Sequence, residues 1–273
     1  MLRRLGLPIL SLFFCLSAGC VINPITGDEE LMFLPEEQDA VIGGQYAPEV
    51  EKQMGGKIDN PQLQNYINSV GQKIVRVSHD RDFEYHFTAV NDKTVNAISL
   101  PGGYVFVTKG MLKNLDSEAQ LASVLGHEIV HIVARDTTNM MSNQIGIEIL
   151  LAAVTSEKTP ENLLTAADLT RQILSLQYSR DDEQVADIGG LDYMARAGYN
   201  PYGMVEAMEM MQKQDEIRPD EFFSTHPSPG NRIEYLTAKI QTTYHNLASL
   251  KVGKEDYRRC VIEQLDESRK PGL

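Results

Sequence analysis

Leu121, Val124, Leu125, Ile129 and Ile132 recur at the spacing of one face of a helix. Ser117 with Gln120 three residues on reads as a capping box at its start, and Glu118 adds negative charge to the first turn. Two supporting helices are predicted upstream. One runs from Glu36 to about Gln53; the other is opened by Asn60 as N-cap and Pro61 as first position, and carries Leu63, Tyr66, Ile67, Val70, Ile74 and Val77. Phe83 to Ala89 alternates in the manner of a strand. Asn96 to Leu100 and Tyr104 to Thr108, joined by Pro101-Gly102-Gly103, predict a hairpin directly before the Ser117 helix.

Downstream, the apolar stretch Met140 to Val154 is interrupted by Gly146 and Glu148 and is too short to span a bilayer. It reads as a core helix, or else as a flap over a cleft. Helical patterns resume at Leu163 to Leu176 and again through Glu183, stopping at Gly198-Tyr199-Asn200-Pro201. Met204, Val205, Met208 and Met211 form an apolar stripe whose ordinary explanation is core packing. Two prolines stiffen the loop Phe222 to Pro229, and residues 254 to 268 predict a last amphipathic helix. The pattern is α+β and mostly helical. Its expected division is one compact domain over 36–250, with a small sheet bordering one central helix, followed by a C-terminal helical extension at 251–273.

The first residues follow another logic. Arg3-Arg4 and the apolar run Leu5 to Ala18 read as a signal peptide, 1–19, ending in Leu16-Ser17-Ala18-Gly19-Cys20. Small residues directly before a lone cysteine predict lipidation of Cys20, the alternative being an ordinary secretory signal cut near Gly19 that gives a soluble periplasmic protein, with 20–35 as a tether containing turns at Asn23-Pro24 and Gly27-Asp28. With Cys15 discarded and Cys20 acylated, only Cys260 would remain, so no internal disulfide is expected. Formal net charge is -13, and Arg3 and Arg4 are the only charges before Cys20, so the remainder is more acidic still. Such a surface argues against nucleic acid and anionic lipid as electrostatic partners.

Within the Ser117 helix stands His127-Glu128-Ile129-Val130-His131. One turn apart, the two imidazoles lie about 40° around the axis and roughly 6 Å along it, so both can reach one metal ion while Glu128 flanks the same opening. A catalytic zinc usually takes three protein ligands and keeps one position for water, and Glu183 is the downstream candidate for the third. Asp187, at i+4 from Glu183, is placed to accept the free ring N–H of a ligand histidine. Gly189 and Gly190 on that helix would let another backbone approach closely. His79 and His86 read as surface or strand-packing residues rather than ligands.

The ordered set Asn96-Ala97, Pro101-Gly102-Gly103, His127-Glu128-x-x-His131, Glu183-x-x-Ala186-Asp187, His226-Pro227 and Arg232-Ile233 resembles the HtpX-like and CAAX-prenyl-endopeptidase-like zinc metallopeptidases of the gluzincin group. It is most similar to their soluble, lipid-anchored bacterial members, over about Pro24 to Ile240. The resemblance implies a zincin-like core and one Zn2+ per chain, held by His127, His131 and Glu183. It further implies Glu128 as general base and Asp187 as orienting carboxylate. His226 is then first candidate for the oxyanion's partner, or a fourth zinc ligand in the resting state, and Arg232 is the second oxyanion candidate. Asn96 and Ala97 lie where an extended substrate would add as a strand. One departure is Asp136, where many relatives carry histidine.

The implied function is an endopeptidase for unfolded or misassembled envelope proteins. It would act on the periplasmic side, in the outer membrane through its lipid anchor, with the outer-membrane assembly machinery as a possible partner. The reading from another class is a chaperone or scaffold that keeps the fold and the zinc but rarely cleaves.

Overall fold

The computed structural model describes residues 19–32, 34–79, 82–143, 166–217, 222–227 and 230–267. The signal-peptide reading, and most of the Met140–Val154 reading, lie outside these residues. Helix α1 spans Glu37–Gln53 and α2 spans Pro61–Val75, the latter capped by the Asn60 side chain, which accepts from Leu63 N–H, with Pro61 at its first position. Strands β3 (His86–Val90), β4 (Ala97–Leu100) and β5 (Tyr104–Thr108) form one sheet in the order β3-β5-β4. The expected hairpin is the antiparallel β4–β5 pair, while β3 runs parallel to β5. The turn between β4 and β5 needs its glycines. Gly102 has φ 74°, and a Cβ there would stand 2.4 Å from Ala40 Cα of α1.

Helices α3 (Lys109–Asn114), α4 (Glu118–Ala134) and α5 (Asp136–Met141) follow. Every residue of α4 is buried, so this helix is the axis of the molecule. Around it pack α2, the sheet, α7 (Arg180–Arg196) and α8 (Tyr202–Ile217), with α6 (Ala166–Leu174) against α1 and α9 (Arg232–Thr243) against α8. Ser117 caps α4 as expected, accepting from Gln120 N–H, but the Gln120 side chain accepts from Asp116 N–H rather than from Ser117. Among the described residues no helix is long and apolar enough to cross a membrane.

Both ends of the described chain pack on its core. The segment expected as a tether forms a hairpin of β1 (Gly19–Ile22) and β2 (Glu29–Met32). Buried Asn23 holds its turn by accepting from Ile25 N–H and donating to Glu30, while Met32 and Leu34 reach the core. Met32 and Leu34 thus find partners on the body of the protein, while Ile22 and Leu31 stay exposed. At the other end, α10 runs from Lys254–Tyr257 through a π turn, Arg258–Ile262, into Glu263–Glu267, and buries Tyr257, Val261 and Leu265 in the main core. The carbonyls of Val252 and Gly253 accept from the first N–H groups of α4. Among the described residues, α10 thus shares the main core with α2 and α4.

Candidate metal centre

The packing of α7 on α4 brings the centre together. The two helices approach through glycine: a Cβ on Gly190 would lie 2.8 Å from His127 N, and one on Gly126 would lie 3.0 Å from Gly190 O. With that approach, Glu183 and Asp187 reach the imidazoles of His127 and His131. Helix α7 opens with a full capping box, in which Ser179 and Asp182 exchange backbone and side-chain bonds. His226 arrives from the loop after the 3-10 turn Phe222–Ser224, fully buried, with its N–H donating to Phe222 O.

Four donor atoms converge. His127 Nε2 lies 3.1 Å from His131 Nε2 and 3.5 Å from Glu183 Oε2; His131 Nε2 lies 3.4 Å from Glu183 Oε1. His226 Nδ1 lies 3.3 Å from His127 Nε2 and 2.8 Å from Glu183 Oε1. Donors around a tetrahedral zinc at ~2.0–2.1 Å are about 3.3–3.4 Å apart, so this spacing fits the ion.

Protonation points the same way. The Nδ1–H of His127 donates to Asp187 (3.1 Å) and that of His131 to Asp136 (2.8 Å), which leaves both Nε2 atoms as lone pairs facing each other. Facing lone pairs in a buried space repel unless a cation lies between them. Burial alone would lower the basicity of His131, but Asp136 and Glu183 outweigh it and raise its pKa to about 10. Glu183 is held well below the usual carboxylate range: burial opposes this, and the charges of His226 and His127 overcome it. The cluster demands positive charge, and the His/His/Glu donor set is one zinc accepts.

Glu128 is placed differently. Its side chain is fully buried, yet neither carboxylate oxygen has a hydrogen-bond partner, and its Oε1 stands 3.7 Å from His226 Nε2, which is also unpartnered. Arg232 sits behind the donors. It makes two bonds to Asp187, at 2.7 and 2.6 Å, and its Nη1 lies 2.9 Å from Glu183 Oε2, too poorly aligned for a hydrogen bond. Tyr235 OH also donates to Asp187. Burial would raise the Asp187 pKa, but Arg232 holds it down.

A match to the sequence profile of peptidase family M48 covers residues 61–240, which includes all of these groups. The chain belongs to peptidase family M48. Family M48 uses zinc, and His127, His131, Glu183 and His226 are a set that could hold such an ion. It is 31% identical over 188 residues to the beta-barrel assembly-enhancing protease of Escherichia coli (strain K12), covering 64% of this chain and 38% of that protein. Identity to the mitochondrial metalloendopeptidase OMA1 of Schizosaccharomyces pombe is 33% over 175 residues, 63% of this chain and 51% of the relative. With OMA1 of Saccharomyces cerevisiae it is 27% over 236 residues, 78% and 67%. The M48 chain thus spans little more than a third of the length of its bacterial relative.

Of the residues singled out in the sequence, His127, Glu128, His131, Glu183, Asp187, His226 and Arg232 lie together. Asn96 and Ala97 lie at the start of β4, whose next residues, Ile98 to Leu100, line a pocket together with Tyr178 and His226. Thr108 N–H donates to Asn96 O, so alternate residues turn to β5 and the backbone of Ala97 and Ser99 turns to the outer edge. There Ala97 N–H donates to the Asn96 side chain. Cys20 is exposed on β1.

Three contacts were not legible beforehand. Asp136, noted only as a departure, is the partner of His131. Tyr178 stacks on the His131 ring with centroids 3.7 Å apart and bonds through its OH to Thr137. Arg135, left-handed at φ 63° where α4 ends, makes two 2.7 Å bonds to Asp39 and ties the end of the helix to α1. A carboxylate five residues after the second histidine was a signal that could have been followed; the other two contacts bridge distant segments.

Proposed function

We propose that this M48 protein is a zinc endopeptidase that cleaves unfolded or misassembled proteins on the periplasmic side of a cell envelope. What most supports cleavage, rather than mere zinc storage, is Glu128, a buried carboxylate without partners beside a complete donor set. Native proteins seldom leave such a group unpaired outside a functional site. His127, His131 and Glu183 would hold the zinc; when bound, it acts as a Lewis acid on the scissile carbonyl and brings the pKa of water toward about 7.

The remaining steps belong to the protein. Glu128 takes a proton from the attacking water and passes it to the leaving amine. Asp187 and Asp136 keep the two imidazoles in the tautomer whose Nε2 faces inward. Arg232 acts through Asp187 and Glu183, neutralising charge behind the donors. In the resting state His226 would be a fourth residue holding the ion, and the peptide would enter once His226 gave way. The outer edge of β4, with Asn96 and Ala97 at its start, receives the substrate as an added strand, a mode that reads backbone and tolerates many sequences. The beta-barrel assembly-enhancing name of the bacterial relatives and the lipoprotein-like start support an envelope location, anchorage through Cys20 and action near the outer-membrane assembly machinery.

The test pairs metal analysis with digestion of unfolded casein. One zinc per chain is expected, with cleavage abolished by chelator and restored by zinc; full cleavage by metal-free protein would sink the reading. Full biological activity of a Glu128→Gln protein that still holds zinc would favour the scaffold instead. For the resting-state ligand, His226→Ala should shorten the time needed to strip zinc with a chelator and raise hydrolysis of a short peptide. If neither changes, His226 is not a ligand.

A further inference from the structure

The β1–β2 hairpin has two unlike faces. Its antiparallel register sets Cys20 opposite Leu31 and Ile22 opposite Glu29, so these four side chains share one face, while Val21, Glu30 and Met32 share the other. The second face turns to the body, where Met32 is buried. On the first, Ile22 and Leu31 are 63% and 51% exposed, and Cys20 is exposed beside them. Among the described residues, the other large apolar side chain left exposed is Val41, on α1.

This hairpin is a fixed platform rather than a leash. Leu34, just after it, is buried, and its carbonyl accepts from Arg135 Nη2 at 2.9 Å. Ile25, in the turn, stands at the seam of α4 and α7: a Cβ on Gly189 would lie 3.3 Å from Ile25 and 2.8 Å from Val130. The side on which Cys20 leaves the body is therefore set by the fold.

We propose that the face bearing Cys20, Ile22 and Leu31 is a membrane-docking surface, whose two apolar side chains enter the lipid interface next to the acyl chains. The inference rests on anchorage through Cys20 and adds which surface of the protein lies on the bilayer. Position and charge both commit the face to lipid. Acyl chains carried by Cys20 issue from the same side as Leu31, its direct cross-strand partner, so the bilayer that takes the one meets the other. No lysine or arginine occurs from Cys20 to Glu51, so the face has nothing with which to hold phosphate and gains from apolar area alone. Glu29 is the one charge on this face; it sits at the turn end, next to exposed Asp28, where it stays in headgroup water. One acylated residue leaves a domain free to swing, whereas two further side chains define a plane. Because the opposite face of the hairpin abuts the body that holds the metal centre, docking sets that centre at a constant height above the lipid. The chains within its reach are then those that emerge at the membrane surface.

The test exploits the absence of tryptophan from the sequence, which makes any introduced tryptophan a sole reporter. Ile22→Trp, Leu31→Trp and a control, Asn65→Trp, are purified as acylated protein, checked by mass and placed in phosphatidylethanolamine/phosphatidylcholine vesicles. Asn65 is exposed beside Tyr66, which bonds Glu118 at the opposite end of α4. Emission from positions 22 and 31 should shift to the blue on vesicles and be quenched by lipid brominated near its carbonyls, while position 65 keeps the emission of a ring in water. Adding Leu31→Asp to Ile22→Trp should cut the quenching several-fold. With acylation confirmed, water-like emission at both 22 and 31 would overturn the docked face and leave the anchor intact, as would quenching unchanged by Leu31→Asp. A chain recovered without acyl groups would overturn both, and casein cleavage, read separately, would be untouched by either result. A blue shift that grows with protein concentration in the absence of lipid would assign the face to a second copy of the chain and overturn the proposal.

Discussion

Helix α4 carries two buried glutamates that meet opposite fates. Glu118, in its first turn, has every acceptor position used. Tyr199 OH (2.6 Å) and Lys73 Nζ (3.2 Å) donate to Oε1, and Tyr66 OH (2.8 Å) and Lys251 Nζ (2.7 Å) donate to Oε2. Those partners come from α2, from the turn after α7 and from the segment before α10, so one carboxylate ties four parts of the chain together. Glu128, just under three turns along, is equally buried and has no hydrogen-bond partner, only His226 Nε2 at 3.7 Å. Burial is the same at both, so it is satisfaction that separates a strut from a reactive group. The saturated carboxylate stabilises the helix; under the proposed function, the one without hydrogen bonds is the group that takes up a proton.

Substitution at the two ends should therefore give opposite signatures. The largest effect belongs to Glu128→Gln, which should lower peptide hydrolysis about 10²- to 10⁴-fold at constant zinc content, with no loss in urea-unfolding stability. Were that variant markedly less stable than wild type, Glu128 would be a second strut and the contrast would collapse.

An intermediate effect is expected at Asp136, which touches a donor without being one. Asp136→Asn should weaken zinc binding about 10- to 100-fold in chelator competition, and Asp136→Glu should recover part of it. Unchanged zinc affinity would reduce the His131 contact to simple packing.

The smallest effect is at Glu118. Glu118→Gln should cost about 1–2 kcal/mol of stability near pH 7 and leave hydrolysis per folded molecule at the wild-type level. Burial raises the Glu118 pKa, but the bonds from Lys251, Tyr199 and Tyr66 outweigh it and bring it from 4.5 to about 2. Its folded pKa is thus below the unfolded one, so its stabilisation is complete above about pH 4.5 and fades as pH falls toward about 2. The gap between wild type and Glu118→Gln should stay constant from pH 8 to 5 and narrow below pH 4.5. A gap that widened on acidification would contradict the saturated network.

What was legible in the sequence was local or periodic. The histidine pair, the capping serine, the Pro-Gly-Gly turn and the Glu183/Asp187 pair all lie within one turn of structure, where spacing alone sets which side chains share a face. Gly190 could be read too, since a glycine within a helix invites close approach, and His127 N is what approaches it. The methionine stripe was legible as an apolar face, and it is buried. The packing of the terminal segments was not legible. Turn residues in 20–35 and an acidic, amphipathic tail look like appendages until Met32, Leu34, Tyr257 and Val261 find a core made by other parts of the chain.

The sequence by itself determined the candidate donor set: two imidazoles a turn apart, a glutamate between them and a carboxylate of suitable spacing downstream. Only the tertiary structure decided which groups are satisfied. Whether Asp136 or solvent holds His131, whether Lys251 reaches Glu118, and whether Glu128 keeps its oxygens bare all depend on residues 5 to 133 positions away. Contacts like that of Lys251 with Glu118 form when helices pack, and no local spacing encodes them.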